Sequence, residues 1–451
     1  MNALSQYIDL YNEHRDTIAS SSPSALNVRR EVALLRLSDA ALPCRGSEDY
    51  EATDLGVLLA PDYGVNVRRV TFPVDESLTR FNCTLPTLSP SPCYVVGDTV
   101  HPTRADLPAG VVVTTLRQAA ALCPDVLEKH YGMVADMARD IPSALNTLLA
   151  QDGLLIYVPA GVRVEKPVQV INVMNAAAPM MAVRRLLIVL ERDARLSLLL
   201  CDHTSDATRQ YLVSQVTEAV LAPGASFDYY DMEESSAATT RLNSLWVRQA
   251  AGSSLLTDTF TLDNGTTRND VYVEVEGEHC ETRLYGMAIA AGRQHVDNHT
   301  FIGHRAPRCV SHEMYKYSLD DNAVGAFAGK ILVDSDCPGV DAYQGNRNLC
   351  ASPAARMYTK PQLEIYTDDV KCAHGSTIGQ LDPDALFYMR QRGIAVDTAQ
   401  TLLRQAFMSD IIDAVKIGAL RERLRHLVER RFLGANALCN TCALSAGGNE
   451  R

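Results

Sequence analysis

Hydrophobic and polar positions divide the chain into three parts with different periodicities. From about residue 153 onward, short runs of β type follow one another, among them LLIYVP, RRLLIVL, RLSLLL, QVTEAVL and FDYYDM. On either side of this stretch, apolar residues recur at the three- and four-residue spacing of amphipathic helices. The pattern predicts a β-rich centre (151–380) between a mixed, mostly helical N-terminal region (1–150) and a helical C-terminal region (381–451).

The turns within the β-rich centre resemble one another. Asp193, Gly224, Gly252 and Gly277 occupy similar junctions, spaced by 31, 28 and 25 residues. Aspartate and glycine tolerate the positive φ of a tight corner, and one similar corner per turn is typical of a β-solenoid. A β-sandwich also has short strands, but paired runs of similar length and long apolar runs favour the solenoid.

The N-terminal region has its own predicted elements. The periodicity predicts helices over residues 4–18, 28–37, 114–122 and 124–150, the last of them introduced by a proline in its first turn. Between the second and third helices lies a proline-rich stretch, which includes the strand-like piece VRRVTF (67–72). We therefore expect two helical pairs separated by a turn-rich segment.

The C-terminal region begins with clear helix signals. Asp382 is a good N-cap for a helix that Gly393 ends. Asp397, with Gln400 three residues later, predicts a second capped helix. Residues 416–431 (KIGALRERLRHLVERR) predict a third helix that is basic.

Composition and charge argue against several classes of protein. The 451 residues include 42 Lys and Arg against 54 Asp and Glu, a net charge of −12, which argues against a nucleic-acid binder. No apolar run approaches the roughly 20 residues of a membrane-spanning helix. Because the start, MNALSQYIDLYNEHRD, lacks the apolar segment of a signal peptide, we expect a cytoplasmic protein whose 12 scattered cysteines are mostly reduced and buried.

Short catalytic motifs are few, and the sequence contains no P-loop, Rossmann Gly-x-Gly-x-x-Gly or Gly-x-Ser-x-Gly motif. Five histidines are concentrated within 34 residues: His279, His295, His299, His304 and His312. Together with Asp297, Glu278 and Glu281 they are compatible with a metal or general-base site. They are equally compatible with hydrogen-bonded side chains on the faces of the coils.

A second candidate is the segment DDVKCAHG, in which Cys372 and His374 are two residues apart. On a strand this spacing places a thiol and an imidazole on the same face, a ligand pair that suits iron or zinc. Lys371 is expected to lower the pKa of the thiol. A buried thiol beside a hydrogen-bonded histidine is the alternative interpretation. The isolated pair Cys439 and Cys442 is half a metal site, a redox pair or a pair without function.

Longer stretches of the sequence resemble a known family. These are DGLLIYVPAGVRVEKPVQV (152–170), HRAPRCVSHEMYKYSLDDNAVGAFAGKILV (304–333) and YQGNRNLCASPAARMYTKPQLEIYTDDVKCAHGSTIG (343–379), followed by QLDPDALFYMRQRGI. Over about residues 150–430 the chain resembles the SufB/SufD family of iron–sulfur cluster assembly proteins. The Val-Lys-Cys-x-His-Gly and Gly-Gln-Leu-Asp motifs are similar to the SufD type.

The resemblance implies a mainly β fold, a right-handed parallel β-helix flanked by helical N- and C-terminal regions. It also implies a non-enzymatic scaffold that pairs with SufB through the β-helix and binds the SufC ATPase through its C-terminal helices. In the family pattern, His374, with Cys372 beside it, falls at the SufB interface. There it would take part in building a transient iron–sulfur cluster, with no cofactor held permanently by the isolated chain.

Two features depart from the family pattern, and one alternative function stays open. Cys350 stands where the family generally has an aliphatic residue, and the family gives Cys439 and Cys442 no role. The alternative is a β-helix enzyme acting on carbohydrate through carboxylates such as Asp297 and Asp320, together with the histidine cluster. In isolation the chain is also compatible with a homodimer that uses the same open strands as SufB.

Overall fold

The computed structural model describes residues 3–82, 92–103 and 107–433. The helices are α1 (Ser5–Ser20), α2 (Ser24–Ser38), α3 (Leu55–Leu59), α4 (Leu116–Leu122), α5 (Pro124–His130), α6 (Ile141–Leu149), α7 (Pro383–Gln391), α8 (Val396–Asp413), α9 (Gly418–Phe432) and a 3₁₀ helix (Glu76–Phe81). Among these residues, no helix is long and apolar enough to cross a membrane.

The described residues form twenty strands, which lie between and around these helices. They are β1 (Gly64–Val65), β2 (Cys93–Val96), β3 (Thr99–His101), β4 (Val112–Thr115), β5 (Leu154–Val158), β6 (Val168–Met174), β7 (Met180–Leu190), β8 (Arg195–Thr204), β9 (Tyr211–Leu221), β10 (Ser226–Glu234), β11 (Thr239–Gln249), β12 (Ser254–Asp263), β13 (Thr266–Val275), β14 (Glu281–Ala290), β15 (His295–His304), β16 (Val310–Leu319), β17 (Val324–Val333), β18 (Val340–Cys350), β19 (Arg356–Ile365) and β20 (Val370–Gly379).

The described strands form two ten-stranded sheets, and from β5 onward consecutive strands alternate between them. The first sheet has the order β19-β17-β15-β13-β11-β9-β7-β5-β4, with β1 beside β7, and the second has the order β20-β18-β16-β14-β12-β10-β8-β6-β2-β3. From β7 onward every strand pairs in parallel with the strand two places before it, as β20 does with β18. The chain is therefore a parallel β-helix, which confirms the predicted solenoid.

One corner of the coils repeats with a left-handed backbone. Asp193, Gly224 and Gly252 have φ angles of 60°, 74° and 67°, as predicted. The prediction for Gly277 is wrong, because the next corner residue is His279, with φ of 60°. Gly277 is needed for a different reason: a Cβ atom there would lie 2.0 Å from the backbone nitrogen of Ala251 on the preceding coil.

The interior of the β-helix is mostly apolar, but it contains one continuous row of polar side chains, which we call the polar ladder. Arg184, Gln215, Asn243, Asn269 and Asn298 follow one another in register on β7, β9, β11, β13 and β15. Gln215 donates to Asn243 at 3.1 Å, and Asn269 donates to Asn298 at 2.9 Å. Because each amide needs a partner on the next coil, the ladder penalises any slip of register.

The N-terminal region covers the outer face of the first sheet, where α1 and α6 pack against β7, β9 and β11. The predicted helix over 124–150 is wrong in its middle, since α5 ends at His130 and α6 begins at Ile141. The break has a cause far along the chain. The buried carboxylate of Glu218 accepts hydrogen bonds from the backbone N–H groups of Gly132, Val134 and Ala135.

The strand predicted at 67–72 is also wrong. Arg69 has a left-handed backbone with φ of 51°. The side chain of Asn66 donates to the carbonyl of Val70 and accepts from its N–H, both at 2.8 Å. This closed asparagine loop replaces the extended conformation.

The C-terminal helices cover the outer face of the second sheet, where α8 and α9 bury Met408, Ile411, Leu424 and Leu427 against it. Asp382 caps α7 as predicted, accepting from the N–H of Asp384. The second predicted cap is wrong, since α8 begins at Val396, so that Asp397 lies in its first turn and Ala395 provides no side-chain cap. Cys439 and Cys442 lie outside the described residues.

Candidate functional site

The last coil of the β-helix leaves its strands uncovered at one side. β20 pairs with β18 and β19 pairs with β17, and among the described residues no further strand follows either of them. We call this end of the β-helix, formed by β19 and β20, the open end. It carries three exposed apolar side chains: Ile365, Tyr366 and Ile378. An unpaired strand edge with apolar neighbours is a typical surface for pairing with another chain.

Both predicted site residues lie at the open end, on β20. Cys372 and Val370 are half-buried and pack against the interior core. His374 has the same parity on the strand and is exposed. The structure therefore places the thiol and the imidazole on one face, the face that closes the interior of the β-helix.

The prediction for Lys371 is wrong. Burial raises the pKa of the Cys372 thiol, and the charge of Asp341 raises it further. Lys371 has the opposite parity, so that its exposed side chain projects from the outer face of β20. Cys372 is thus a thiol that requires a metal or another change of surroundings to become a thiolate.

His374 stands in register with two buried polar side chains that the sequence analysis did not select. On the preceding coil its partner is Gln344, and one coil further inward it is Glu313. The Gln344 Nε2 atom donates to the Glu313 Oε2 atom at 2.8 Å. The spacings of 31 and 30 residues match the length of one coil, a signal that could have related the three positions in the sequence.

The five histidines between residues 279 and 312 do not form one site. His295 and His299 lie on the outer face of the first sheet, whereas His312 stacks between Tyr285 and Tyr343 on the second. His304 bonds to Ser311. In the described parts of the chain, no group of three or more His, Cys, Asp or Glu side chains is placed to hold a metal.

The carboxylates of the carbohydrate hypothesis are also separate. Asp297 is buried against the first sheet, where it accepts from Thr53 and pairs with Arg268 at 2.9 Å. Asp320 pairs with Arg404 of α8 at 2.9 Å, beside the second sheet. Each carboxylate is paired with an arginine and the two lie on different sheets, so that Asp297 and Asp320 do not form the facing pair that acid–base catalysis on a glycosidic bond requires.

A second exposed surface lies on the C-terminal helices. α7 has no buried residue, and its Phe387 and Tyr388 are 62% and 59% exposed. Between α8 and α9 runs a groove of about 500 Å³, lined by Leu402, Ala406 and His426 among others. The helices thus bury one face on the second sheet and present an apolar and charged face to solvent.

Comparison with known proteins relates this architecture to one family. Residues 172–407 match the SufBD core domain of the SUF system for FeS cluster assembly, and residues 1–170 match the SufBD protein N-terminal region. The chain belongs to the SufBD family. The family model for the core covers the coils from β6 to β20, together with α7 and much of α8.

Relatives within the SufBD family include proteins named SufD. The chain is 28% identical over 427 residues to an iron–sulfur cluster assembly SufBD family protein of Synechocystis, covering 92% of this chain and 93% of the relative. It is 31% identical over 175 residues to SufD of Escherichia coli, covering 39% and 41%. It is 24% identical over 326 residues to SufD of Bacillus subtilis, covering 71% and 74%. The chain is a SufD-like member of the family.

Proposed function

We propose that this SufBD protein is a non-enzymatic scaffold subunit of the SUF complex, in which it pairs with SufB and binds the SufC ATPase. In this role the nascent iron–sulfur cluster is cargo that is built and passed on. His374 and Cys372 are the ligands that this chain contributes to the cluster.

The observation that carries the proposal is the coincidence of three features at the open end. The strand edge of β20 is available for strand addition. Exposed apolar side chains, including Tyr366 and Ile378, surround it. Cys372 and His374 are on that same last strand. A partner that extends the sheets therefore comes to lie directly against both candidate ligands. Without SufB, a second copy of this chain could use the same edge.

The chemistry of the two ligands fits a cluster that must be released. Iron–sulfur clusters held permanently are usually ligated by four cysteine thiolates, whereas here one thiol and one imidazole are available. We infer that SufB and inorganic sulfide supply the remaining ligands. Because both ligands bind in their deprotonated forms, protonation competes with the metal and favours transfer to an acceptor.

The C-terminal helices are the proposed SufC surface. The exposed side chains of Phe387 and Tyr388 lie on a helix without a buried face of its own, and the groove between α8 and α9 is adjacent in the chain. Deleting residues 381–451 would not test this surface cleanly. It would remove α8 and α9 from the second sheet and expose the apolar face that they cover.

Point substitutions on the exposed face give a sharper test. The chain is co-expressed with SufB and SufC, and the two partners are quantified after purification through a tag on this chain. We expect the double variant Phe387→Asp, Tyr388→Asp to lose most of its SufC while SufB is retained. Val28→Asp on α2 is the control, because Val28 is 72% exposed and lies in the N-terminal region. Retention of SufC by the double variant would place the SufC surface elsewhere.

A further inference from the structure

One column of interior side chains changes character as it approaches the open end. Further inward this column contains Leu284, a core residue of β14, and the small hydroxyl side chain of Thr257 on β12, and neither is ionisable or carries an amide. The next three positions, on β16, β18 and β20, are Glu313, Gln344 and His374. Glu313 and Gln344 are both completely buried, so that their polarity is not explained by contact with water. Polar groups at such positions are costly unless they are paired.

The carboxamide of Gln344 is only half satisfied. Its Nε2 atom donates to Glu313, while its Oε1 atom is buried and has no hydrogen-bond partner among the described residues. Burial raises the pKa of Glu313 to about 7. In its ionised form the Glu313 carboxylate only accepts hydrogen bonds, and the contact then fixes which end of the amide carries the nitrogen. The oxygen is thereby left as an acceptor. The next side chain in the column is the imidazole of His374 on the adjoining coil.

The opposite sheet leaves room for this carboxamide. Gly329 lies on β17, and a Cβ atom added there would come within 2.3 Å of the Gln344 Nε2 atom. Any larger residue would therefore displace the amide from its contact with Glu313. The space at Gly329 and the hydrogen bond to Glu313 together hold the Gln344 amide in one orientation.

We propose that Gln344 is the positioning residue of His374. The exposed imidazole of His374 turns to bring the N–H of one ring nitrogen to the Gln344 Oε1 atom, which has no partner in the described part of the chain. This contact fixes the tautomer and directs the lone pair of the other nitrogen out of the open end toward the metal. Glu313 acts through Gln344 by orienting the amide. A hydrogen bond to the second nitrogen is a usual feature of histidines that bind metals. The inference rests on the proposed role of His374 as a ligand.

The test observes the histidine ring directly. The full-length chain is labelled with ¹⁵N-histidine, and the signals of His374 are identified by their loss in His374→Ala. In the unaltered chain we expect one dominant neutral tautomer. In Gln344→Met, which preserves the volume without the amide, we expect both tautomers to be populated. Gln362→Leu is the control, because Gln362 lies on β19 with the parity that points outward.

The same variants are then purified with SufB and SufC, and their iron and acid-labile sulfide are measured. We expect Gln344→Met to lower the cluster content at least threefold with unchanged partner stoichiometry. Should Gln344→Met fail to fold, Glu313→Gln provides the second test, since it frees the amide to rotate and should also mix the tautomers. If the His374 signals of the folded variant, Gln344→Met or Glu313→Gln, are identical to those of the unaltered chain, the inference is overturned. Full cluster content in His374→Ala instead overturns the proposed function, and leaves the hydrogen bond measurable by itself.

Discussion

At the scale of single residues, the histidines show how position in the fold decides chemistry. His299 lies between Asp270 and Asp49, with its ring nitrogens 3.4 and 3.6 Å from their carboxylates. Burial by itself would lower the pKa of His299, but these carboxylates raise it to about 9. Arg268 stacks on Tyr50 beside them, at 3.8 Å from the ring centroid. The cluster fastens the N-terminal segment to the first sheet.

This ion cluster makes stability depend on pH in a defined direction. The pKa of His299 is about 9 when folded and about 6.5 when unfolded. The stabilisation is therefore complete below pH 6.5 and is lost as the pH rises through 9. We expect His299→Gln to cost about 2–3 kcal/mol at pH 6 and clearly less at pH 9.5, measured by urea unfolding. The exposed His279→Asn is the control, and an equal cost at both pH values would contradict the account.

The sequence could identify candidate residues but not their partners. The sequence places His299 near four other histidines, yet its partner Asp49 is 250 residues away in the chain. Gln344 was not predicted as a site residue, because no pattern in the neighbouring sequence indicates a role for it. The information lies in the coil spacing, which brings Glu313, Gln344 and His374 into one column.

At the scale of elements, the edge of β20 determines what can pair with it. Asp341 of β18 donates its N–H to Cys309 on the preceding coil, and Lys371 is in register with Asp341. On β20, the N–H groups of Lys371 and of every second residue counted from it therefore point toward β18. The N–H groups of the residues between them point toward the open edge. Asn348 donates to the carbonyl of Thr377, as this alternation requires.

This alternation predicts the effect of one proline. Ser376 is exposed and has an edge-facing N–H, so that Ser376→Pro removes one donor of the edge without breaking the pairing to β18. We expect several-fold weaker binding of SufB and unchanged binding of SufC, measured by co-purification of both partners. Ser376→Ala keeps the N–H and serves as the control. Equal SufB binding by the two variants would show that SufB does not extend this sheet.

Elements were predictable where their causes are local. The strands of the β-helix and the cap at Asp382 follow from short-range patterns, and both are confirmed. The helix predicted over 124–150 failed because Glu218, on β9, binds three backbone N–H groups of the intervening loop. The segment also contains local signals for the break: Gly132 has a left-handed backbone with φ of 67°, and Asp140 is the N-cap of α6.

At the scale of the whole molecule, the described residues form a stack of coils whose two sides are covered and whose last coil is not. The N-terminal region covers the first sheet, and α8 and α9 cover the second. The repeating period made the stack predictable from the sequence. The packing of the flanking regions was not predictable, because the pattern of their apolar faces does not indicate which sheet each region covers. The uncovered end is the surface on which the proposed function depends.

The central claim is that this chain contributes His374 to a cluster built at the open end. The direct measurement is iron and acid-labile sulfide per complex, purified with SufB and SufC, for His374→Ala beside the unaltered chain. His279→Asn is the control, since His279 is an exposed histidine at a left-handed corner where asparagine is tolerated. The account predicts that His374→Ala retains both partners and loses most of its iron and sulfide, whereas the control retains them. Cluster content in His374→Ala equal to that of the control would contradict it.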